Sequence, residues 1–253
     1  MRWKAIGKSV IGTSHVAAGK GCEDALQYIV EKDAHGNEVL ICCVSDGAGS
    51  AQYAGEASAF CTAEVLSSLS ALATAGAALT EAHIYSLLED IYDELQTQAN
   101  ANGAEIYDYS CTLLGCFITQ TQSVFFQIGD GAIVRDDAGG AYTYIWWPHN
   151  GEYQNVTAFL VDDRNFANLN VTIIDERINE IALFTDGIQM LALNNEHRQV
   201  HQPFFMNLFQ HLRMADHEEK INLLNIKLED YLGGDRINLR TDDDKTLFLA
   251  TRL

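Results

Sequence analysis

The chain has 253 residues, with 16 Lys and Arg against 35 Asp and Glu, and a formal charge of −19. A field of that sign repels nucleic acid and anionic membranes, and argues against both as partners. With 47% apolar and 20% charged residues, two prolines (Pro148 and Pro203) and no Ser/Gly/Pro-rich linker, the sequence reads as a single globular domain over residues 1–253.

In chain order, residues 3–11 alternate loosely between apolar and polar and predict a strand. Residues 26–30 and 39–45 predict two more, and Ala34-His35-Gly36-Asn37 between them is turn chemistry, so the two form a hairpin. Residues 54–72 carry apolar side chains at helical spacing. Thr80 is placed to cap a second helix running to about residue 100. Short strands follow at 112–119, 123–128, 132–135 and 142–146, with Gly139-Gly140 as a turn. The series continues with 156–161, 171–174 and 180–185. Helices over 202–214 and 217–231 come next, the second closed by Gly233-Gly234, before a last strand at 246–251. Runs of strands and pairs of helices predict an α+β fold with antiparallel sheets. A meander this long needs two sheets packed face to face and flanked by the helix pairs.

Six cysteines (Cys22, Cys42, Cys43, Cys61, Cys111 and Cys116) include no CxxC pair, which argues against a zinc knuckle or a thioredoxin-like site. Most lie in apolar runs and read as small core residues. No signal-peptide pattern and no run of ~18 apolar residues is present, so the expected compartment is the reducing cytoplasm.

Three apolar strands end alike. VLICCVS runs into Asp46-Gly47, SVFFQIG into Asp130-Gly131, and IALFT into Asp186-Gly187. Asp242-Asp243-Asp244 precedes the final strand, and Glu23-Asp24 precedes the strand that begins near Leu26. In antiparallel pairing the end of one strand lies beside the start of its neighbour, so acids in both positions can share a rim. Hard divalent cations take oxygen ligands, whereas crowded carboxylates repel one another without a cation. One Asp-Gly pair is ordinarily a turn. Three of them closing apolar strands, with two acid clusters at strand starts, predict a metal site.

The segments Gly21-Cys22-Glu23-Asp24-Ala25, Ser45-Asp46-Gly47-Ala48-Gly49-Ser50 and Tyr109-Ser110-Cys111-Thr112-Leu113-Leu114-Gly115 are followed by Gly129-Asp130-Gly131, Phe184-Thr185-Asp186-Gly187 and Asp243-Asp244-Lys245-Thr246. In that order they resemble the metal-dependent type 2C (PPM) serine/threonine protein phosphatases, over about residues 12–250. The resemblance implies two antiparallel sheets sandwiched between helix pairs, a four-layer αββα arrangement. It implies two Mn²⁺ or Mg²⁺ ions, with a third, weaker one in some members. Asp46 would bridge two ions, with Glu23 and the Gly47 carbonyl on one and Asp186 and Asp243 on the other. Asp24 would lie behind these or bind through water, and Asp130 would join Asp186 on the third ion. Asp46, Asp186 and Asp243 would then be the catalytic set. The implied reaction is removal of phosphate from phosphoserine and phosphothreonine of proteins by in-line attack of a metal-bridging hydroxide, opposing a cognate kinase in signalling. No cysteine is followed six residues on by Arg, so the pattern of cysteine-based phosphatases is absent.

Two positions depart from the family. Many members have His two residues after the bridging Asp, where this chain has Ala48, and many have an Arg shortly before the Glu-Asp pair. Lys20 and His15 are the nearby candidates for the substrate phosphate, and Lys is a point charge rather than a bidentate fork. These departures motivate an alternative, a non-catalytic phosphoprotein-binding regulatory module on the same fold. His197 and His201, at i and i+4 between Asn194-Asn195 and Pro203, read as a surface loop rather than a helical metal site. Asp162-Asp163-Arg164 reads as a solvated loop in the region where the family carries a variable flap.

Overall fold

The computed structural model describes residues 2–137, 139–148 and 157–252. In chain order the elements begin with β1 (Trp3–Val10), α1 (Thr13–Ala18), β2 (Ala25–Lys32), β3 (Glu38–Ser45), α2 (Ala54–Thr74) and α3 (Glu81–Asn102). Next come β4 (Leu113–Ile118), β5 (Ser123–Ile128), β6 (Ala132–Asp136), β7 (Tyr142–Tyr144), β8 (Asn170–Ile174) and β9 (Glu180–Phe184). The last are α4 (Gln189–Ala192), β10 (Leu193–Asn194), β11 (Gln199–Val200), α5 (Gln202–Met214), α6 (Glu218–Leu232), α7 (Asp235–Asn238) and β12 (Lys245–Arg252). They fall into two compact units. The mid-chain unit comprises residues 23–130 and 148–177, and the terminal unit residues 1–22, 131–147 and 178–253. Each holds one five-stranded antiparallel sheet, β2-β3-β4-β5-β8 in the first and β1-β12-β9-β6-β7 in the second. This is the α+β architecture with two antiparallel sheets that the sequence predicts.

In the mid-chain unit the β2–β3 hairpin is closed by Asp33, whose carboxylate accepts the His35 and Asn37 N–H groups at 2.8 Å each. That turn fixes the register from Lys32↔Glu38 to Ala25↔Ser45. The residues just before β2 are thereby set beside those just after β3. The continuous apolar run of β3 is buried from Val39 to Ser45, as its lack of alternation predicts. On α2 the buried residues Ala57, Cys61, Val65, Leu69 and Ala73 recur every four positions and form one narrow row in the core of this unit. By length and composition α2 is apolar enough to cross a membrane. Its buried row and exposed Glu56 and Glu64 make it a core helix instead. Thr80 caps α3 as predicted. Its hydroxyl accepts the His83 N–H at 3.3 Å, while His83 Nδ1 accepts the Thr80 N–H at 3.2 Å, so an imidazole closes the capping box in place of Glu or Gln.

In the terminal unit β12 lies between β1 and β9 and is buried throughout. Phe205, Phe209 and Leu212 of α5 join Tyr142 and Phe184 in its core. Buried Glu180 accepts from the Tyr142 hydroxyl at 2.6 Å, the Thr251 hydroxyl at 2.9 Å and the Arg213 guanidinium at 2.7 Å. A charge placed there is compensated from three sides.

Three expectations change. Within the predicted strand 156–161, residue 156 lies outside the described residues and 157–161 form no strand. Leu160 and Val161 instead bury their side chains in the mid-chain core. β5 already has β4 and β8 as neighbours, so this apolar run packs without entering the ladder. Residues 13–18, given no element from sequence, form α1, which buries no residue and ends on Gly19 in the left-handed conformation. The strand predicted over 142–146 stops at Tyr144.

Removing the Thr80 cap tests the reading of α3. Thr80→Ala is expected to lower the unfolding free energy by about 1 kcal/mol, seen as a reduced urea midpoint at unchanged slope.

Candidate active site

Asp46 leaves the end of β3 and is held by Thr112, 66 residues further on. The Asp46 N–H donates to Thr112 Oγ1 at 2.9 Å and its carbonyl accepts the Thr112 N–H at 2.8 Å. The Ser45 hydroxyl donates to the Thr112 carbonyl at 2.5 Å, and the Ala48 N–H donates to the Ser110 carbonyl at 3.0 Å. The backbone of residues 45–48 is thus fastened to residues 110–112, and half-buried Asp46 extends its side chain from a fixed base. Gly47 is pressed against the other acid segment. A Cβ there would stand 2.8 Å from the Glu23 carbonyl oxygen and 2.8 Å from Ala54 Cβ, so only glycine permits this approach. Glu23 is half-buried and Asp24 is buried. Asp130, after β5, accepts the Thr157 hydroxyl at 2.6 Å. Ala48 packs with Ala51, Ala54 and Phe159 in a small apolar cluster.

The terminal unit repeats the device. Asp186 begins a 3₁₀ turn after β9, and Thr185 binds Thr246 at the start of β12 through both its N–H (3.2 Å) and its hydroxyl (3.0 Å). A Cβ on Gly187 would stand 2.0 Å from the Asp244 carbonyl oxygen. The three consecutive acids separate by role. Asp244 is buried, with Oδ1 accepting the Gly12 N–H at 2.6 Å and Oδ2 paired with His15 Nδ1 at 2.9 Å. Asp242 is exposed and its carbonyl accepts from Ser14. Half-buried Asp243 accepts the Asp244 N–H at 2.9 Å. Its carbonyl accepts from the fully buried Lys245 ammonium at 3.0 Å, which also donates to Asn238 at 3.1 Å. His15 is therefore tied to Asp244, whereas Lys20 lies exposed just beyond α1.

Glu23, Asp24, Asp46, Gly47 and Asp130 belong to the mid-chain unit, and Asp186 and Asp243 to the terminal unit, as do His15 and Lys20. Among the described residues no three His, Cys, Asp or Glu side chains gather around one point; each unit presents a partial set of carboxylate and carbonyl oxygens. In donor chemistry these sets fit a hard divalent cation, and the space at Gly47, where no side chain fits, brings the Glu23 backbone beside Asp46-Gly47. Sequence reasoning missed Thr112, Lys245 and Asp244 as the residues that fix Asp46, Asp243 and the N-terminal segment. Thr112 and Lys245 lie inside the matched motifs, which was the available signal. Five of the cysteines are buried, with Cys61 and Cys111 sulfurs 3.7 Å apart, in keeping with core packing. His197 sits in the β10–β11 turn and His201 precedes α5, so they form no helical pair. Arg164 is exposed, bonded to Asp93 at 2.6 Å, with its guanidinium over the Tyr92 ring.

Antiparallel sheets with strand-end acids, seated on glycines and in one unit on a threonine clamp, give each unit a rim of oxygen donors. The sequence profile of protein phosphatase 2C matches residues 11–232. Serine/threonine-protein phosphatase 3 of Escherichia coli (strain K12) is 34% identical over 251 residues, spanning 99% of this chain and 98% of that one. The chain belongs to the protein phosphatase 2C family. Its fold is shared with the serine/threonine phosphatase Stp1 of Staphylococcus aureus (TM-score 0.65, 16% identity, 100% of this chain and 96% of that one). It is also shared with PppA of Pseudomonas aeruginosa (TM-score 0.61, 16% identity, 100% and 99%).

The Thr112 clamp can be tested directly. Thr112→Val keeps the shape but leaves the Asp46 N–H without its acceptor, at a cost of about 1–3 kcal/mol in stability. Turnover of p-nitrophenyl phosphate is expected to fall about tenfold or more, while Thr112→Ser retains activity.

Proposed function

We propose that the chain removes phosphate from phosphoserine and phosphothreonine of proteins. Asp46, Asp186 and Asp243 are the catalytic ligands, and Glu23, Gly47, Asp24 and Asp130 complete the metal set. The observation that carries this reading is the seating of Asp46-Gly47, clamped by Thr112 and pressed on Glu23. Full-length similarity to a named serine/threonine phosphatase supports it. When bound, two Mn²⁺ or Mg²⁺ ions supply Lewis-acid charge to the phosphoryl group and acidify water. A third ion would use Asp130 and Asp186.

The chain's own residues do the rest. Thr112 and Lys245 hold the backbones of Asp46 and Asp243 so that their carboxylates need little reorganisation. Lys20, exposed, offers a point charge to the substrate phosphate. His15, tied to Asp244, offers less, because its Nδ1 is committed. Ala48 has no proton to give, so the leaving oxygen takes its proton from water rather than from residue 48. We further infer that residues 1–253 act as a single catalytic domain, that a serine/threonine kinase supplies the substrate, and that the enzyme works in the cytoplasm without nucleic-acid or membrane partners, in keeping with the charge of −19.

A folded sample is expected to hydrolyse p-nitrophenyl phosphate and a phosphothreonine peptide with Mn²⁺, to lose activity on chelation and to regain it when Mn²⁺ returns. Asp46→Asn is expected to abolish turnover with an unchanged circular dichroism spectrum. Unchanged turnover in that variant overturns the assignment of Asp46. The apolar packing of Ala48 favours the second reading, a phosphoprotein-binding module, which predicts that the peptide binds in every divalent metal without being turned over.

A further inference from the structure

The terminal unit carries an open groove of about 710 Å³ between α4, the start of α5, the end of α6 and the segment from α7 to residue 240. Its apolar lining includes Met190, Phe204, Tyr231 and Leu239, and Met190 and Leu239 are 67% and 85% exposed. Large apolar side chains so open to water, gathered in one groove, mark an interaction surface rather than scattered surface residues. Arg236 and Arg240 also line it, and no acid does. Among the described residues neither guanidinium has a hydrogen bond or an ion pair. In a chain with 35 acids and 16 Lys and Arg, two adjacent unpaired arginines in an acid-free groove leave a local positive charge unmatched.

The groove is also joined to the candidate active site within its own unit. α4 starts three residues after Asp186. α7 ends in Asn238, which accepts from the Lys245 ammonium that in turn donates to the Asp243 carbonyl. The walls of the groove therefore grow from the two segments that carry Asp186 and Asp243.

We propose that this groove docks an acidic segment of the protein substrate, with apolar anchor residues seated on Met190, Phe204, Tyr231 and Leu239 and carboxylates paired to Arg236 and Arg240. The docking role rests on the reading of the chain as a protein phosphatase. Guanidinium groups grip carboxylates bidentately, and the apolar anchors supply the area that makes such a contact selective.

The test uses the full chain with Mn²⁺ and three peptides. One is a short phosphothreonine peptide, one the same peptide extended by alternating Glu and Leu or Phe, and one the same extension with Lys for Glu. The acidic extension is expected to raise kcat/KM about tenfold, through KM. Arg236→Glu/Arg240→Glu and, separately, Leu239→Ser are expected to erase that advantage while leaving turnover of the short peptide within about twofold, the ordinary scatter of a surface change. Equal kcat/KM for all three peptides, or an advantage retained in the double variant, overturns the proposal. Fluorescence anisotropy with the acidic extension alone, lacking phosphothreonine, reads docking independently of catalysis. Failure of turnover with binding that the double variant loses sinks the phosphatase reading but keeps the groove as a site for acidic segments. No binding sinks the groove. A dimer in sedimentation that the double variant dissolves assigns the groove to a second copy and also overturns the proposal.

Discussion

Thr112 grips Asp46 by both backbone groups, and the geometry of the mid-chain rim depends on that grip. An aspartate at a strand end has a free backbone on one side, where the ladder stops, and its carboxylate would wander with it. Here the ladder is continued for one more step by a side-chain hydroxyl and a backbone amide from Thr112, the residue just before β4. The carboxylate therefore projects from structure as rigid as the sheet, the condition for placing charge before the substrate arrives. Ser45 adds a third bond to the same threonine, and the Ala48 N–H bound to the Ser110 carbonyl secures the other end of the turn.

Glycine has one role on each rim. After Asp46 and again after Asp186, the missing side chain lets a second acid-bearing segment come within van der Waals range of the turn. The contact partner is a backbone carbonyl in each case, from Glu23 and from Asp244. The repeated Asp-Gly pair is thus a packing requirement as much as a turn signal. It allows acids distant in sequence to approach closely without a side chain between them.

Much of this was legible in the sequence because it is local. The apolar run before Asp46-Gly47, the cap at Thr80 and the helix over 202–214 are each written in a dozen consecutive residues. The parts that escaped are not local. Thr112 meets Asp46 across 66 positions, and nothing in either segment alone announces the bond. Asp242, Asp243 and Asp244 are indistinguishable as letters. Their differences arise from Gly12, His15 and Ser14 at the other end of the chain, which occupy Asp244 and the carbonyl of Asp242 and leave Asp243 half-exposed. α1 is illegible because six residues with no buried face give no periodicity to read, and residues 157–161 look like a strand because an apolar run that is buried without pairing carries the same pattern as one that pairs.

The pairing of β1 with β12 has a consequence for biosynthesis. β12 is the inner strand between β1 and β9, so on the ribosome β1 emerges early and then waits, its ladder groups unpaired, until the last of the described strands appears. The segment 23–130 can condense in the meantime from contacts within itself, since pairing within β2-β3-β4-β5 is complete well before then. Asp243 directly precedes β12. A nascent chain therefore cannot assemble its second acidic rim until β12 has emerged, and a chain cut short before β12 keeps its mid-chain core but never assembles that rim. Assembly of that rim is coupled to the emergence of β12 by strand order alone.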